Sequence, residues 1–499
     1  MQPPFDITGD LDTPVSAFMK LAAFRPRFLL ESVEGGERLG RFSFIGFGDG
    51  LEVRLDASGL VVGGERAPVP ASGAALLLAL RAALARAPRP QPDIAGVPLA
   101  GGLVGYAAYD IVRQFERLPA RPGRCSTVPA LHYIAPSSVL VFDHLTRGVA
   151  LVHAGSEAER QSLRSEIVRA LRGGVPNGRP ARYAPPTAAF TRADYLAGVR
   201  RTQEYIAAGD VYQLVLASRF SGRHALDPFQ AYRALRLINP SPYMYYCALG
   251  DVTVVGSSPE ALVKLNARRA QLRPIAGTRP RGADAASDAA REAELRADPK
   301  ENAEHVMLVD LARNDLGRVA RAGSVRVDPY RCIERYSHVM HLVSGVQGEL
   351  AQGRDAFDLF AAAFPAGTLV GAPKVRAMQI IDELEPVSRG LYGGTVGYFG
   401  ARGDMDHAIT IRTLVFAGDE YSYQAGAGIV ADSVPESEHQ ECLHQVVGEG
   451  VVVVDQQQAR LHRPSSASSS ARTMAALFAI TSSCSLSGTL SATMPAPAW

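Results

Sequence analysis

The sequence predicts an α+β fold built on antiparallel sheets. Short runs of β-branched and aromatic residues recur along the whole chain. Helical stretches separate them without the regular strand–helix alternation of a doubly wound sheet. The 499 residues are 47% hydrophobic and 20% charged, an ordinary globular balance with length for two or three domains.

Residues 1–172 alternate strand-like runs (RFSFIGF, GLEVRL, SVLVFDH, GVALVHA) with helical stretches such as ALLLALRAALARA, and read as an N-terminal domain. Residues 173–189 begin GGVPNGRPARYAPPT and read as a linker or long surface loop. The main domain is expected over 190–455. There TRADYLAGVRRTQEYIAAGD predicts a helix capped by Thr191 and ending near Gly209. VYQLVLASRFS, YMYYCAL, VTVVGS, TVGYFG, HAITIRTLVF and YSYQAGAGIV predict strands. Residues 456–499 are rich in Ser, Ala and Thr and carry no charge after Arg472, so a disordered tail is expected.

The totals exclude several classes. A net charge of +2 implies no general attraction to nucleic acid or membranes. No apolar run reaches the ~18 residues of a membrane span, and the polar, acidic N-terminus is unlike a signal peptide, so a cytoplasmic protein is expected. The five cysteines form no CxxC pair, which argues against zinc or a disulfide framework. Arginine has displaced lysine almost everywhere. The rare Lys300 and Lys374 mark places where a compact ammonium is needed.

Four kinds of group suggest chemistry on a small polyanion. The loop PIAGTRPRG, residues 274–282, puts two arginines and a threonine beside flexible backbone, which suits a small anion. In DPKENAEHVMLVDLARNDLGRV, Asp298 and Pro299 open a helix, and Glu301 and Glu304 share a face that continues as Leu308 and Leu311. Two carboxylates facing an interior need a proton or a cation. The same acids would also suit an exposed first turn, where they favour the helix dipole. Glu438 and Glu441 repeat the spacing after Pro435. Two such pairs suit a hard divalent ion, magnesium, with oxygen ligands and retained waters. Glu260, after Ser-Ser-Pro at a strand end, is placed for a general acid. His341 sits in an apolar run, where a core histidine is the commoner outcome. Arg412 alternates with apolar neighbours in a predicted strand and would clamp a carboxylate. Gly426 and Gly428 of QAGAGIV offer backbone N–H groups to an anion. No nucleophilic triad is present. A metal-dependent enzyme acting on a small polyanionic acid is the reading these residues carry.

Seven stretches in order, PIAGTRPRG, DPKENAEHVMLVDLARNDLGRV, YSHVMHLVSG, FPAGTLVGAPKVRAM, YGGTVGYFG, ITIRTL and GAGIVADSVPESE, closely resemble the chorismate-utilising enzymes, above all their anthranilate synthase component I members. The resemblance is dense over 190–442 and thinner at LLESVEGGERLGRFSFIG. It implies two antiparallel sheets packed as a sandwich with helices around them. It implies conversion of chorismate and ammonia to anthranilate and pyruvate, the first step of tryptophan biosynthesis. Glu304 and Glu441 would contact magnesium, and Glu301 and Glu438 would hold its waters. Glu260 would help the 4-hydroxyl leave, and His341 would assist the elimination of pyruvate. Tyr392, Arg412 and the Gly426–Ala427–Gly428 backbone would bind the enolpyruvyl carboxylate, with Thr278 lining the ring pocket. Gln213 falls on the substrate side, where isochorismate and salicylate synthases place a lysine base. Ala276 stands where aminodeoxychorismate synthases carry a nucleophilic lysine, so that alternative is opposed. A separate glutamine amidotransferase subunit would supply ammonia, making a hetero-oligomer. Tryptophan would inhibit through Glu31, Ser32, Pro242, Tyr243 and Met244. One departure stands out: Gln445 occupies the place of a substrate-binding lysine, and the expected final helix gives way to LHQVVGEGVVVVDQQQ. That supports a further alternative, an impaired chain that binds without turnover.

Overall fold

A computed structural model describes residues 4–33, 40–119, 126, 128–176, 182–335 and 339–448. The expected tail at 456–499, residues 449–455, and part of the expected linker lie outside these.

Two large sheets form the body, and every strand pair in them is antiparallel. Among the described residues one has 12 strands and the other 11. The first runs from Ile7–Thr8 through Gly148–His153, Ser138–Asp143, Phe42–Phe47, Phe28–Glu31, Tyr243–Leu249, Val252–Ser258, Thr413–Ala417 and Glu420–Ile429 to Gln213–Arg223. The second carries Ala261–Asn266, Met405–Ile409, Thr395–Gly400, Gly102–Ala107, Leu131–Ala135 and Leu51–Asp56 side by side. A small three-stranded sheet joins Ile275–Pro280, Val339–Val343 and Cys332–Arg335. Each large sheet joins a block of strands from before residue 172 to a block from after it at a single junction. Met244 stands opposite Glu31, and Thr395 opposite Ala107.

The strands alternate because each separates two cores. Phe28, Tyr245, Cys247 and Val254 of the first sheet meet Val104, Tyr106, Ile134 and Tyr398 of the second in one cluster, the filling of the sandwich. Their neighbours Leu29, Met244, Tyr246 and Val255 face the other way, into a larger cluster shared with the helices. The helix starts follow the capping rules. Thr191 Oγ1 accepts from Asp194 N at 3.2 Å ahead of the helix Arg192–Ala207. Asp298 accepts from Lys300 N and Glu301 N at 2.9 and 3.2 Å ahead of the helix Pro299–Gly317.

One expectation needs correction. HAITIRTLVF is not a single strand. Met405–Ile409 belongs to the second sheet and Thr413–Ala417 to the first, and Arg412 sits in the crossover with φ +51°. The period-2 pattern runs through the break because both flanking strands are buried. Beside it, Val252–Ser258 crosses to Ala261–Asn266 in the opposite direction, carrying Glu260 between the sheets. The two crossovers are stitched together: Ile409 N donates to Glu260 O at 3.0 Å and Ser257 N to Arg412 O at 3.1 Å. The fold thereby carries an acid and a base through one gap.

Candidate active site

A cavity of about 240 Å³ opens where the crossover meets the strands Gln213–Arg223 and Glu420–Ile429. Its wall includes Gln213, Glu304, Tyr392, Arg412, Gly426, Gly428, Glu441 and Gln445. Residues separated by more than 200 positions in the chain thus reach one space.

Glu304 comes from the second turn of its helix. Burial pushes its carboxyl above the ordinary range. A hydrogen bond from Gln213 Nε2 at 3.1 Å opposes this, and the charge of Glu301 adds to it. Glu441 approaches from the helix Pro435–Gly448, which packs on the Gly426 strand. Glu301 and Glu438 do not line the cavity among the described residues. Glu301 accepts instead from Arg279 Nη1 at 2.9 Å. Glu438 lies one turn before Glu441. No cluster of three or more acidic, histidine or cysteine groups is assembled for a metal among the described residues. Two carboxylates at one wall, one of them desolvated, nonetheless fit an ion that keeps several waters and takes further oxygens from its substrate.

The loop arginines were expected to hold a small anion. They hold carboxylates of this chain. Arg279 reaches Glu294 at 2.9 Å, Asp298 at 2.7 Å and Glu301 at 2.9 Å. Arg281 chelates Asp288, whose Oδ1 also accepts from Gly282 N at 2.7 Å. The reason is proximity: both helices that follow the loop begin with acids, and a guanidinium fork satisfies them. The loop therefore sets the helix of Glu301 and Glu304 rather than a ligand. Gly277, at φ +70°, is required here, because a Cβ would lie 3.1 Å from Glu301 Oε2.

Thr278 and His341 face each other across the small sheet, with Thr278 Oγ1 3.0 Å from His341 Nδ1. Burial lowers the imidazole pKa, and the nearby Arg412 charge lowers it further, while a Gly277 carbonyl contact opposes them. His341 is therefore neutral and able to accept a proton. Arg412 Nη1 donates to Asn239 Oδ1 at 3.3 Å. Glu260 sits behind the cavity. It lines a small space together with Pro274, Leu308, Leu311 and Ala366, where desolvation pushes its pKa up to about 8. Thr368, which lines the cavity, donates to it at 3.3 Å and connects the two spaces. Nothing in the sequence pattern pointed to Thr368.

The glycines are explained by their neighbours. Gly428 faces Gln213, where a Cβ would fall 2.7 Å from Nε2. Gly426 N donates to Gln445 Oε1 at 3.3 Å, and Gln445 Nε2 donates to Glu441 at 3.2 Å. Gln445 thus occupies the amide expected to meet a carboxylate. Ala427 faces away, buried in the helix-side core. Of the two rare lysines, Lys300 pairs with exposed Asp432 at 3.1 Å, and Lys374 forms a buried pair with Asp315 at 2.6 Å.

The five residues expected around an inhibitor gather where Phe28–Glu31 meets Tyr243–Leu249, but on two faces. Glu31 and Met244 stand side by side toward the helix Pro228–Ile238, where Glu31 accepts from Tyr232 and from Arg236 at 3.2 Å. Ser32 follows with a buried hydroxyl lacking a hydrogen-bond partner among the described residues. Tyr243, one residue from Met244, points between the sheets and donates to Asp406 at 3.0 Å. Pro242 precedes it, partly buried.

The chain is similar along most of its length to known proteins. A family model for chorismate binding enzymes matches residues 25–447. Anthranilate synthase component 1 of Thermus thermophilus is 50% identical, over 88% of this chain and 94% of that one. The component 1 of Streptomyces coelicolor is 46% identical, over 88% and 86%. The crystal structure of anthranilate synthase component I from Streptococcus pneumoniae superposes with a TM-score of 0.73 at 32% identity, covering 89% of this chain and 98% of that one. The menaquinone-specific isochorismate synthase of Escherichia coli shares the fold at a TM-score of 0.65 and 20% identity.

Proposed function

Because the chain belongs to the chorismate-binding enzymes, and within them to the anthranilate synthase component 1 group, we propose that this cavity turns chorismate and ammonia into anthranilate, pyruvate and water. The observation that carries the reading is the convergence of Glu304, Glu441, Tyr392, Arg412 and the Gly426–Gly428 strand on one 240 Å³ space. Arg412 and the Gly428 amide face would bind the enolpyruvyl carboxylate, with Tyr392 beside them. Magnesium, when bound, would supply positive charge to the ring carboxylate; Glu304 and Glu441 would hold it, Glu438 would meet its waters from one turn before Glu441, and Glu301 would do so on leaving Arg279. Protonated Glu260 would deliver a proton to the departing 4-hydroxyl as ammonia adds to the ring. Neutral His341, held by Thr278, would take up the ring proton as pyruvate leaves. With Ala276 in the loop there is no amine to attack the ring, so ammonia attacks directly.

Ammonia would come from a separate glutaminase component, as the component 1 name of the relatives suggests. Tryptophan would bind at Glu31, Ser32, Pro242, Tyr243 and Met244, where the buried Ser32 hydroxyl lacks a partner among the described residues. The metal assignment is tested by titrating magnesium against the Glu441→Gln variant. The half-saturating concentration should rise at least about tenfold, the loss of one charged ligand interaction. An unchanged value would remove Glu441 from the metal site.

A second reading rests on Gln445. Its side chain holds the Gly426 amide and the Glu441 carboxylate together, so substrate must displace it. In that reading the chain binds chorismate with little turnover.

A further inference from the structure

The strand Gln213–Arg223 is paired along its length with Glu420–Ile429, the strand of Gly426 and Gly428. Its other edge pairs with short strands toward its two ends. Gly371–Ala372 pairs with residues 213–214, and Thr187–Ala188 with residues 220–221. Between them the edge meets no strand among the described residues.

An ion pair takes the strand's place. Arg389 and Glu385 are 2% and 3% exposed. Glu385 Oε1 accepts from Ala217 N at 3.0 Å, and Arg389 Nη2 donates to Val215 O at 2.8 Å. A donor and an acceptor of alternate edge residues are met, as a neighbouring strand would meet them. The two side chains also bind each other, Arg389 Nη2 to Glu385 Oε1 at 2.6 Å and Nε to Oε2 at 3.0 Å.

The same guanidinium reaches further. Arg389 Nη1 donates to Leu369 O at 2.6 Å, and its Cζ lies over the Tyr392 ring, 5.5 Å from the ring centre. Its backbone carbonyl accepts from Tyr392 N at 3.1 Å and from the Gln424 side chain. Val215, Leu369, Tyr392 and Gln424 all line the cavity; Arg389 does not. Four walls of one pocket thus share a single partner outside it.

We propose that Arg389, braced by Glu385, is the positioning residue of the candidate active site, fixing Tyr392 and the strand behind Gly426–Gly428 without touching substrate. This rests on the cavity being the chorismate site. Lysine at 389 keeps the charge but cannot span Val215, Leu369 and Glu385 together.

The test compares Arg389→Lys and the milder Glu385→Gln, whose amide oxygen can still accept from Ala217, with Arg113→Lys. Arg113 forms a neighbouring ion pair with Asp382 and lines no part of this cavity. Chorismate binding by equilibrium dialysis, kcat and KM with ammonium, and thermal midpoints are measured for each. Arg389→Lys should lower kcat/KM about a hundredfold, as a misplacement of about 1 Å does. Chorismate binding should weaken with it. Arg113→Lys should lose thermal stability to a similar degree and keep its KM. The inference is overturned if Arg389→Lys binds chorismate as the parent does, or if both variants lose binding in step with their thermal midpoints. Dialysis reads this even in a chain without turnover. A parent chain that binds chorismate but makes no anthranilate would instead count against the catalytic reading alone. If Arg389→Lys does not fold, a folded Glu385→Gln decides by the same criteria.

Discussion

Replacing Glu260 by glutamine separates the acid's catalytic work from its cost to the fold. Glu260 has an ordinary carboxyl pKa of 4.5 in the unfolded chain and about 8 in its enclosed site, with desolvation the main cause and the Thr368 hydrogen bond opposing it. The folded state therefore holds a proton that the unfolded state has released between those two pH values. Stability falls as pH rises through that window, and the loss is complete above the folded pKa. The span of about 3.5 pH units corresponds to ~5 kcal/mol at about 1.36 kcal/mol per unit. Glu260→Gln removes the titration while keeping the shape of a neutral acid. Urea unfolding of parent and variant at pH 5 and pH 8.5 should show the variant gaining several kcal/mol relative to the parent at the higher pH. Its kcat should fall by about 10²–10⁴, the usual worth of a general acid. The parent's kcat should decline above pH 8 as the proton is lost. Parallel stability curves for the two proteins between pH 5 and 8.5 would refute the reasoning, because the carboxyl would then titrate in its ordinary range.

Three other substitutions follow from the same geometry. Gly428→Ala places a Cβ 2.7 Å from Gln213 Nε2 and should push that amide off Glu304, raising the magnesium requirement about tenfold in an activity titration. Arg412→Gly relieves a left-handed arginine at φ +51°, a strain of about 1 kcal/mol or more, while deleting the carboxylate clamp. Its thermal midpoint should hold near the parent's while the chorismate KM rises ten- to about a hundredfold. Gln445→Lys frees the Gly426 amide and adds a cation; chorismate KM should fall by about tenfold or more in steady-state assays, and an unchanged KM would show that Gln445 is no obstacle.

Much of the fold could be read from local chemistry. Asp298–Pro299 and Thr191 announce helix starts, and both helices begin there. The strands Gln213–Arg223, Tyr243–Leu249 and Glu420–Ile429 carry the aliphatic and aromatic runs that predict them. What escaped was set by long-range packing. Arg412 looks like a strand residue because a sheet-to-sheet crossover between two buried strands preserves the alternation. Arg279 looks like an anion binder because nothing in a linear pattern says that its loop packs on the acidic starts of two helices. Glu385 and Arg389 carry no signature, since the bare strand edge they cover exists only after the sheet has formed. The three-residue spacing within Glu301/Glu304 and within Glu438/Glu441 was legible, but the turning of Glu301 toward Arg279 was not.

The most direct test of the account is product formation by the purified chain with chorismate, ammonium and magnesium at mildly alkaline pH. Anthranilate is followed by fluorescence and pyruvate by a coupled assay. The account predicts both products in equal amounts, abolished by EDTA and restored by excess magnesium. Bound chorismate with neither product, in the parent and in Gln445→Lys alike, would contradict it.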